Sequence, residues 1–285
     1  MLAPCVDRGT SERLCNIGRV EMKDQYFGDI NDYRKYSLLR HLGGFGRHKI
    51  VLAWALTDDD DRSDGGRIAY LEDPQRWRGH DPKVFDCLQQ EVIEAGRRCV
   101  SSLEKSGVIP NCTYFAERLS DDPVDRGRYF ERLSAVAKGA DLVFLDPDNG
   151  IEVKSVPRGR RNSSKYVYWD EVALLLNSNA SLLVYQHFPR VNRKRYIRNL
   201  LSHGGATVGV TRATAFRTSH AVFLLFPQAR HEAALASNTC QVLENWKGQF
   251  EVGFYTATPG SSGWQVIAAE SRALWNFPAI HSAAG

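Results

Sequence analysis

Short apolar runs alternate along this chain with stretches in which apolar residues return every three or four positions. The first pattern predicts buried strands and the second amphipathic helices, so their alternation predicts an α/β protein with a largely parallel sheet. Residues 1–21 are polar and lack a sustained period, and read as a flexible extension or a mis-set start. From Met22 the pattern improves: Asn31 or Asp32 can cap a helix that places Tyr36, Leu39 and Leu42 on one side. Strands are expected over residues 49–56, 67–71, 112–116, 141–145 and 181–185. Between them, Asp81-Pro82 opens a helix with Phe85, Leu88, Val92 and Ile93 on one stripe. Asp122-Pro123 opens another, which buries Phe130, Leu133 and Val136 or Ala137 before Gly139 ends it. Asn192 caps a basic helix through Leu201, with Gly204-Gly205 as its stop. Residues 206–214 and 220–226 then read as an antiparallel hairpin, 229–246 as a helix burying Leu235, Val242, Leu243 and Trp246, and 250–257 as an edge strand. Glycines and serines beyond Thr258 mark a linker. The expected organisation is one α/β domain over 22–258, between an extension (1–21) and a tail (259–285), and 285 residues suffice for a full core.

The chemistry gathers where the central strand, 141–145, breaks into Asp146-Pro147-Asp148-Asn149-Gly150. In an open α/β sheet, ligand crevices form at the carboxyl ends of parallel strands. The strand over 181–185 runs into Gln186-His187-Phe188-Pro189-Arg190. If the two ends are neighbours, Asp146, Asp148, Asn149 and His187 form a catalytic group, and Lys165, Gln186, Arg190 and Arg193 are placed to bind substrate. The first helix either packs across the sheet edge or projects Asp29, Asp32 and Lys35 into the same crevice. Four consecutive aspartates, 58–61, follow the first strand, and Asp58 and Asp29 are the candidates for cofactor contacts. Asp146, Asp148 and Glu152 offer the oxygen ligands that Mg²⁺ or Mn²⁺ prefers.

Composition changes this picture little. Hydrophobic content of 43% and charged content of 25% belong to an ordinary globular protein, and a net charge of +4 permits an anionic partner without demanding one. The distribution says more, since Arg158, Arg160, Arg161 and Lys165 cluster after the central strand and Arg190, Arg193, Lys194, Arg195 and Arg198 after a later one. Such a rim can neutralise the phosphates of a nucleic acid. The cysteines at 5, 15, 87, 99, 112 and 240 have no CxxC spacing and read as reduced thiols of a cytoplasmic protein. No apolar run approaches the roughly 18–20 residues needed to span a bilayer.

The order of elements over roughly residues 24–247 resembles the class I S-adenosylmethionine-dependent methyltransferases. That resemblance implies a Rossmann-like methyltransferase fold, with a seven-stranded, mostly parallel sheet and a C-terminal antiparallel hairpin. The start is similar to the ribosomal-RNA adenine-N6 methyltransferases, which open with a short Asp-bearing helix before the first strand. Asp146-Pro147 is similar to the first half of the Asp-Pro-Pro-Tyr element with which amino-group methyltransferases grip an exocyclic amine. Asp148 and Asn149 stand where that element has proline and an aromatic, and the first strand leads into Thr57 and the aspartates rather than a glycine-rich turn. The resemblance implies S-adenosylmethionine as cofactor, Asp146 as acceptor from the target amine, Asn149 at its edge and Arg190 on phosphate.

Two other classes stay open. Pro147-Asp148 followed by Glu152-Val153-Lys154 resembles the PD-(D/E)xK nucleases, which suits a metal-dependent nuclease or phosphohydrolase, and a non-catalytic nucleic-acid-binding module would use the basic rim alone. The combination of YFGD, DPDNG, SSKYVYWDE and YQHFPR also resembles a set of bacterial proteins of uncharacterised biochemistry.

Overall fold

Alternate residues of the central strands are buried on opposite faces of one sheet. Val51, Ala53, Val143, Leu145, Leu182 and Val184 belong to one apolar cluster, and Ile50, Leu52, Leu142, Phe144 and Leu183 to another. A two-residue repeat with both phases apolar marks strands covered on both sides. The computed structural model describes residues 26–57, 66–257 and 263–268. Its strands are β1 (Ile50–Ala53), β2 (Cys112–Phe115), β3 (Leu142–Leu145), β4 (Gly150–Ile151), β5 (Tyr166–Val167), β6 (Ser181–His187), β7 (Arg212–Arg217), β8 (Ala221–Phe226), β9 (Glu251–Ala257) and β10 (Trp264–Ala268).

Eight of them form a sheet in the order β10-β9-β7-β8-β6-β3-β1-β2, and β4 and β5 pair separately. The half containing β2, β1, β3 and β6 is parallel, with Ile50 level with both Cys112 and Leu142, and Leu142 level with Ser181. From β6 onward the pairing is antiparallel. The helices α1 (Ile30–Leu42), α3 (Pro82–Gln89) and α8 (Glu232–Asn245) cover one face, and α5 (Pro123–Ala137), α6 (Trp169–Leu176) and α7 (Arg193–Val208) the other. The chain is therefore an α/β protein with a parallel core and an antiparallel extension. Two short helices, α2 (Pro74–Trp77) and α4 (Val100–Ser106), complete the set. No described helix is long and apolar enough to cross a membrane.

Several boundaries differ from the sequence reading, each for a tertiary reason. Residues 67–71 contain no strand; Ala69–Glu72 form a 3₁₀ turn whose Tyr70 and Leu71 are buried beside α1, with Tyr70 stacked on Tyr33. The helix after Asp81 changes to a π turn over Gln90–Glu94, so Val92 stays buried and Ile93 rotates outward. Gly204 and Gly205 do not end α7, which runs on to Gly209. They are glycines because Trp169 and Trp264 lie against the helix: a Cβ at 204 would sit 1.9 Å from Trp169 and one at 205 2.7 Å from Trp264. The sheet has eight strands rather than seven, and β9 is not an edge strand, since β10 pairs outside it. Asp29, not Asn31 or Asp32, caps α1, its side chain accepting from the Asn31 N–H.

Candidate functional site

The site follows from strand parity. In β1 and β3 the even-numbered residues face the α1 layer, so Trp54 and Asp146, the next even positions past Leu52 and Phe144, leave the sheet on that side. In β6 the odd-numbered residues face it, which turns Tyr185 and His187 to the same side and Gln186 to the other. The N-terminal turn of α1 lies over these strand ends. A cavity of about 400 Å³ results, lined among others by Asp29, Asp32, Lys35, Tyr36, Trp54, Thr57, Arg67, Asp146, Asp148, Asn149, Lys165, Tyr185, His187 and His220.

At its floor Lys35 bridges two carboxylates. Its Nζ lies 2.6 Å from Asp146 Oδ2 and 2.9 Å from Asp32 Oδ1, and Asp32 Oδ2 accepts from the Gly28 N–H at 3.2 Å. The spacing of Asp32 and Lys35 puts both on one side of α1. The rings of Tyr36, Trp54 and Tyr185 surround the ammonium, with centroids 5.7, 6.0 and 6.0 Å away. Burial works against the charge of Lys35, but Asp146 and Asp32 outweigh it and hold the amine protonated. Burial raises the Asp146 carboxyl to about 6, more than Lys35 lowers it, because the ammonium is shared with Asp32, and Asp32 and Asp148 add their repulsion. The second oxygen of Asp146 accepts no hydrogen bond from any described residue. This carboxyl can thus accept from a ligand N–H and take up a proton near neutrality.

The walls are fixed by backbone bonding. The Asp146 N–H donates to Ala53 O at 3.0 Å, extending the β1–β3 ladder into the site, and Thr57 Oγ1 donates to Asp148 Oδ2 at 2.9 Å. After Trp54 the chain turns through Ala55 in the left-handed region, at φ 46°. That conformation favours glycine and costs about 1–2 kcal/mol for a residue with a Cβ, so the first strand makes a sharp turn despite its missing glycine. Asn149 is held by its N–H to Lys165 O and by its carbonyl, which accepts from the His187 N–H at 3.1 Å. Burial, then Arg67, hold the His187 ring below its ordinary pKa, leaving it a neutral base.

Of the residues expected from sequence, Asp29, Asp146, Asp148, Asn149, Lys165 and His187 meet in this cavity. Gln186 does not. Its Oε1 accepts from the Ile151 N–H, and its Nε2 donates to the carbonyls of Asn149 and His187, so it fastens β4 to β6 and has no donor left for substrate. Glu152 accepts from the Trp169 N–H at the start of α6 and is not a cavity residue. Arg190 is exposed and Arg193 packs its guanidinium over Phe188, outside the cavity lining. Asp58 lies outside the described residues. The oxygen-ligand set Asp146, Asp148 and Glu152 is not assembled, and no group of three His, Cys, Asp or Glu among the described residues is placed to hold a metal ion.

Sequence reasoning missed Arg67, Trp54, Tyr185, Thr57 and His220. Tyr185 was detectable, because it stands two residues before His187 on one strand and must share its face. Arg67 carried no signal: it is held by Asp29, which accepts from its backbone N–H, Nε and Nη2, each at 3.2 Å. Compared with models of known protein families and with curated proteins, the chain matches none.

Proposed function

We propose that this protein transfers a methyl group from S-adenosylmethionine to an amino group of a nucleic acid or related substrate. The observation that carries this reading is the state of Asp146, with one oxygen clamped by Lys35 and the other left to accept from a substrate amine, at the carboxyl end of the central parallel strand. Asp146 orients the amine and holds the proton it gives up. Asn149, whose backbone is held by Lys165 and His187, meets the edge of the substrate.

The cavity fits the cofactor's chemistry. S-adenosylmethionine would supply an electrophilic methyl carbon on a sulfonium, and the cavity offers carboxylates and an aromatic ring for the rest of the molecule. Tyr185 would stack on the adenine, and Asp29 and Asp148 would accept from the ammonium and the ribose hydroxyls. The volume lies within the roughly 300–1,000 Å³ usual for such sites.

A metal-dependent nuclease is supported less well, because the Lys35 ammonium contacts the carboxylate that a divalent cation would need. Isothermal titration with S-adenosylmethionine is the test: saturable binding by the full chain supports methyl transfer, and no heat at high concentration overturns it. Mn²⁺-dependent thermal stabilisation that vanishes in Asp146→Asn would instead restore the nuclease.

A further inference from the structure

The mouth of the cavity carries positive charge that methyl transfer leaves unused. His187 ends β6, and His220 precedes β8 on the adjoining strand, linked by the Phe188 N–H donating to His220 O at 3.0 Å. Arg67 Nη1 lies 3.4 Å from His220 Nδ1, which also meets Ser219 Oγ at 2.6 Å. Arg193 packs its guanidinium 5.6 Å from the ring of Phe188 and acts electrostatically on His220. Behind Arg67 stands Arg34, which donates to the neutral Gln249 Oε1 and whose buried Nε has no hydrogen-bond partner.

The carboxylate that answers these groups is Asp29. It takes the backbone N–H, Nε and Nη2 of Arg67, leaving Nη1 turned toward His220. Arg34, Arg67 and Arg193 thus outnumber it. We infer that this mouth is an anion subsite that receives a phosphate group of the substrate, with Arg67, His187 and His220 as its direct donors and Arg193 and Arg34 as the surrounding field.

Three arguments support it. Arg67 and both histidines already line the cavity, so a phosphate there would sit on a molecule reaching toward Asp146. The Nη1 of Arg67, which Asp29 leaves uncovered, and two imidazoles that become donors on protonation match the several acceptor oxygens of a phosphate. Charge at the two rings agrees with this: after burial, Arg67, Arg193, His187 and Arg34 hold the His220 pKa down, and Arg67 does the same to His187. An anion reverses that effect, so binding draws protons onto the two rings. The inference rests on the proposed methyl transfer only for what carries the phosphate.

The test is titration of the full chain with inorganic phosphate, without S-adenosylmethionine, followed by calorimetry and histidine-observed NMR. Expected are shifts of the His187 and His220 ring signals toward their protonated positions, absent with chloride at equal ionic strength, and a binding heat that varies with the buffer's ionisation enthalpy. Arg67→Gln weakens binding about tenfold or more, the loss of a charge-assisted contact. Because Arg67 also anchors Asp29, the paired exposed variants His187→Gln and Arg193→Gln provide a second measure if Arg67→Gln fails to fold; each weakens binding. Unmoved histidine signals, or affinity unchanged in these variants, overturn the subsite. Displacement of phosphate by a nucleoside monophosphate identifies a terminal phosphate as occupant, and displacement by an oligonucleotide without terminal phosphates identifies the diester backbone. Displacement by neither overturns a substrate phosphate. Failure of S-adenosylmethionine binding leaves all of these readings intact.

Discussion

Lys35 and Asp146, 111 residues apart, meet at 2.6 Å and tie the first helix to the end of the central strand. The same ammonium holds Asp32, so a single cation neutralises two buried carboxylates. Lys35→Met would leave both without a counter-charge, which costs about 3–5 kcal/mol for a buried pair broken from one side. Adding Asp146→Asn should restore part of that loss, and a double-mutant cycle by urea unfolding measures the coupling. A cost below about 1 kcal/mol, the value of an exposed pair, would mean that the contact does not form in solution.

The same carboxyl sets a pH dependence. Burial raises Asp146 from an ordinary 3.8 to about 6, so the folded protein binds its proton more tightly than the unfolded chain does. The stability this contributes is complete below the unfolded value and is lost as pH rises through the folded one. Between about pH 4 and pH 7, wild type should lose stability relative to Asp146→Asn by on the order of 3 kcal/mol. Lys35, raised rather than lowered, stays protonated throughout that window. Unfolding free energies of both proteins at the two pH values check the sign; parallel curves would refute it.

Asparagine at 146 keeps an acceptor oxygen but cannot hold a proton. Methyl incorporation from labelled S-adenosylmethionine should fall about 10²–10⁴-fold in Asp146→Asn, the usual contribution of a positioned base, with cofactor affinity retained. Equal loss of binding and turnover would instead assign Asp146 to the cofactor.

Two helix glycines should respond in opposite directions to alanine. At Gly204 the new Cβ would lie 1.9 Å from Trp169, and overpacking there should cost about 1–3 kcal/mol or more. At Gly127, in α5, nothing lies within 4 Å, and the better helix former should add about 0.5–1 kcal/mol. Thermal midpoints of the two variants suffice, and a stabilising Gly204→Ala would show that Trp169 does not pack against α7.

Local chemistry was enough for much of this molecule. Asp81, Asp122 and Asn192 cap helices as their side chains and following residues predict, and the strands expected over 49–56, 112–116, 141–145 and 181–185 are found as Ile50–Ala53, Cys112–Phe115, Leu142–Leu145 and Ser181–His187. The placement of Asp146, Asp148, Asn149 and His187 around one crevice was also legible, because loops at adjacent parallel strand ends must share space. These features depend on hydrogen bonds and periodicities within a few residues of each other. What sequence could not supply depends on partners far along the chain. Gly204 reads as a helix stop until Trp169 is seen against it, and Gln186 reads as a ligand-binding amide until the backbone of Asn149, Ile151 and His187 engages both ends of it. Arg67 belongs to the site only because α1 brings Asp29 to it, and of the two readings the sequence allowed for Asp29, Asp32 and Lys35, packing at a sheet edge or projecting into the crevice, the layering of α1 over β3 selects the second. A side chain's neighbours across the sheet decide whether it is a wall, a strut or a reagent, and that choice is made when the layers pack.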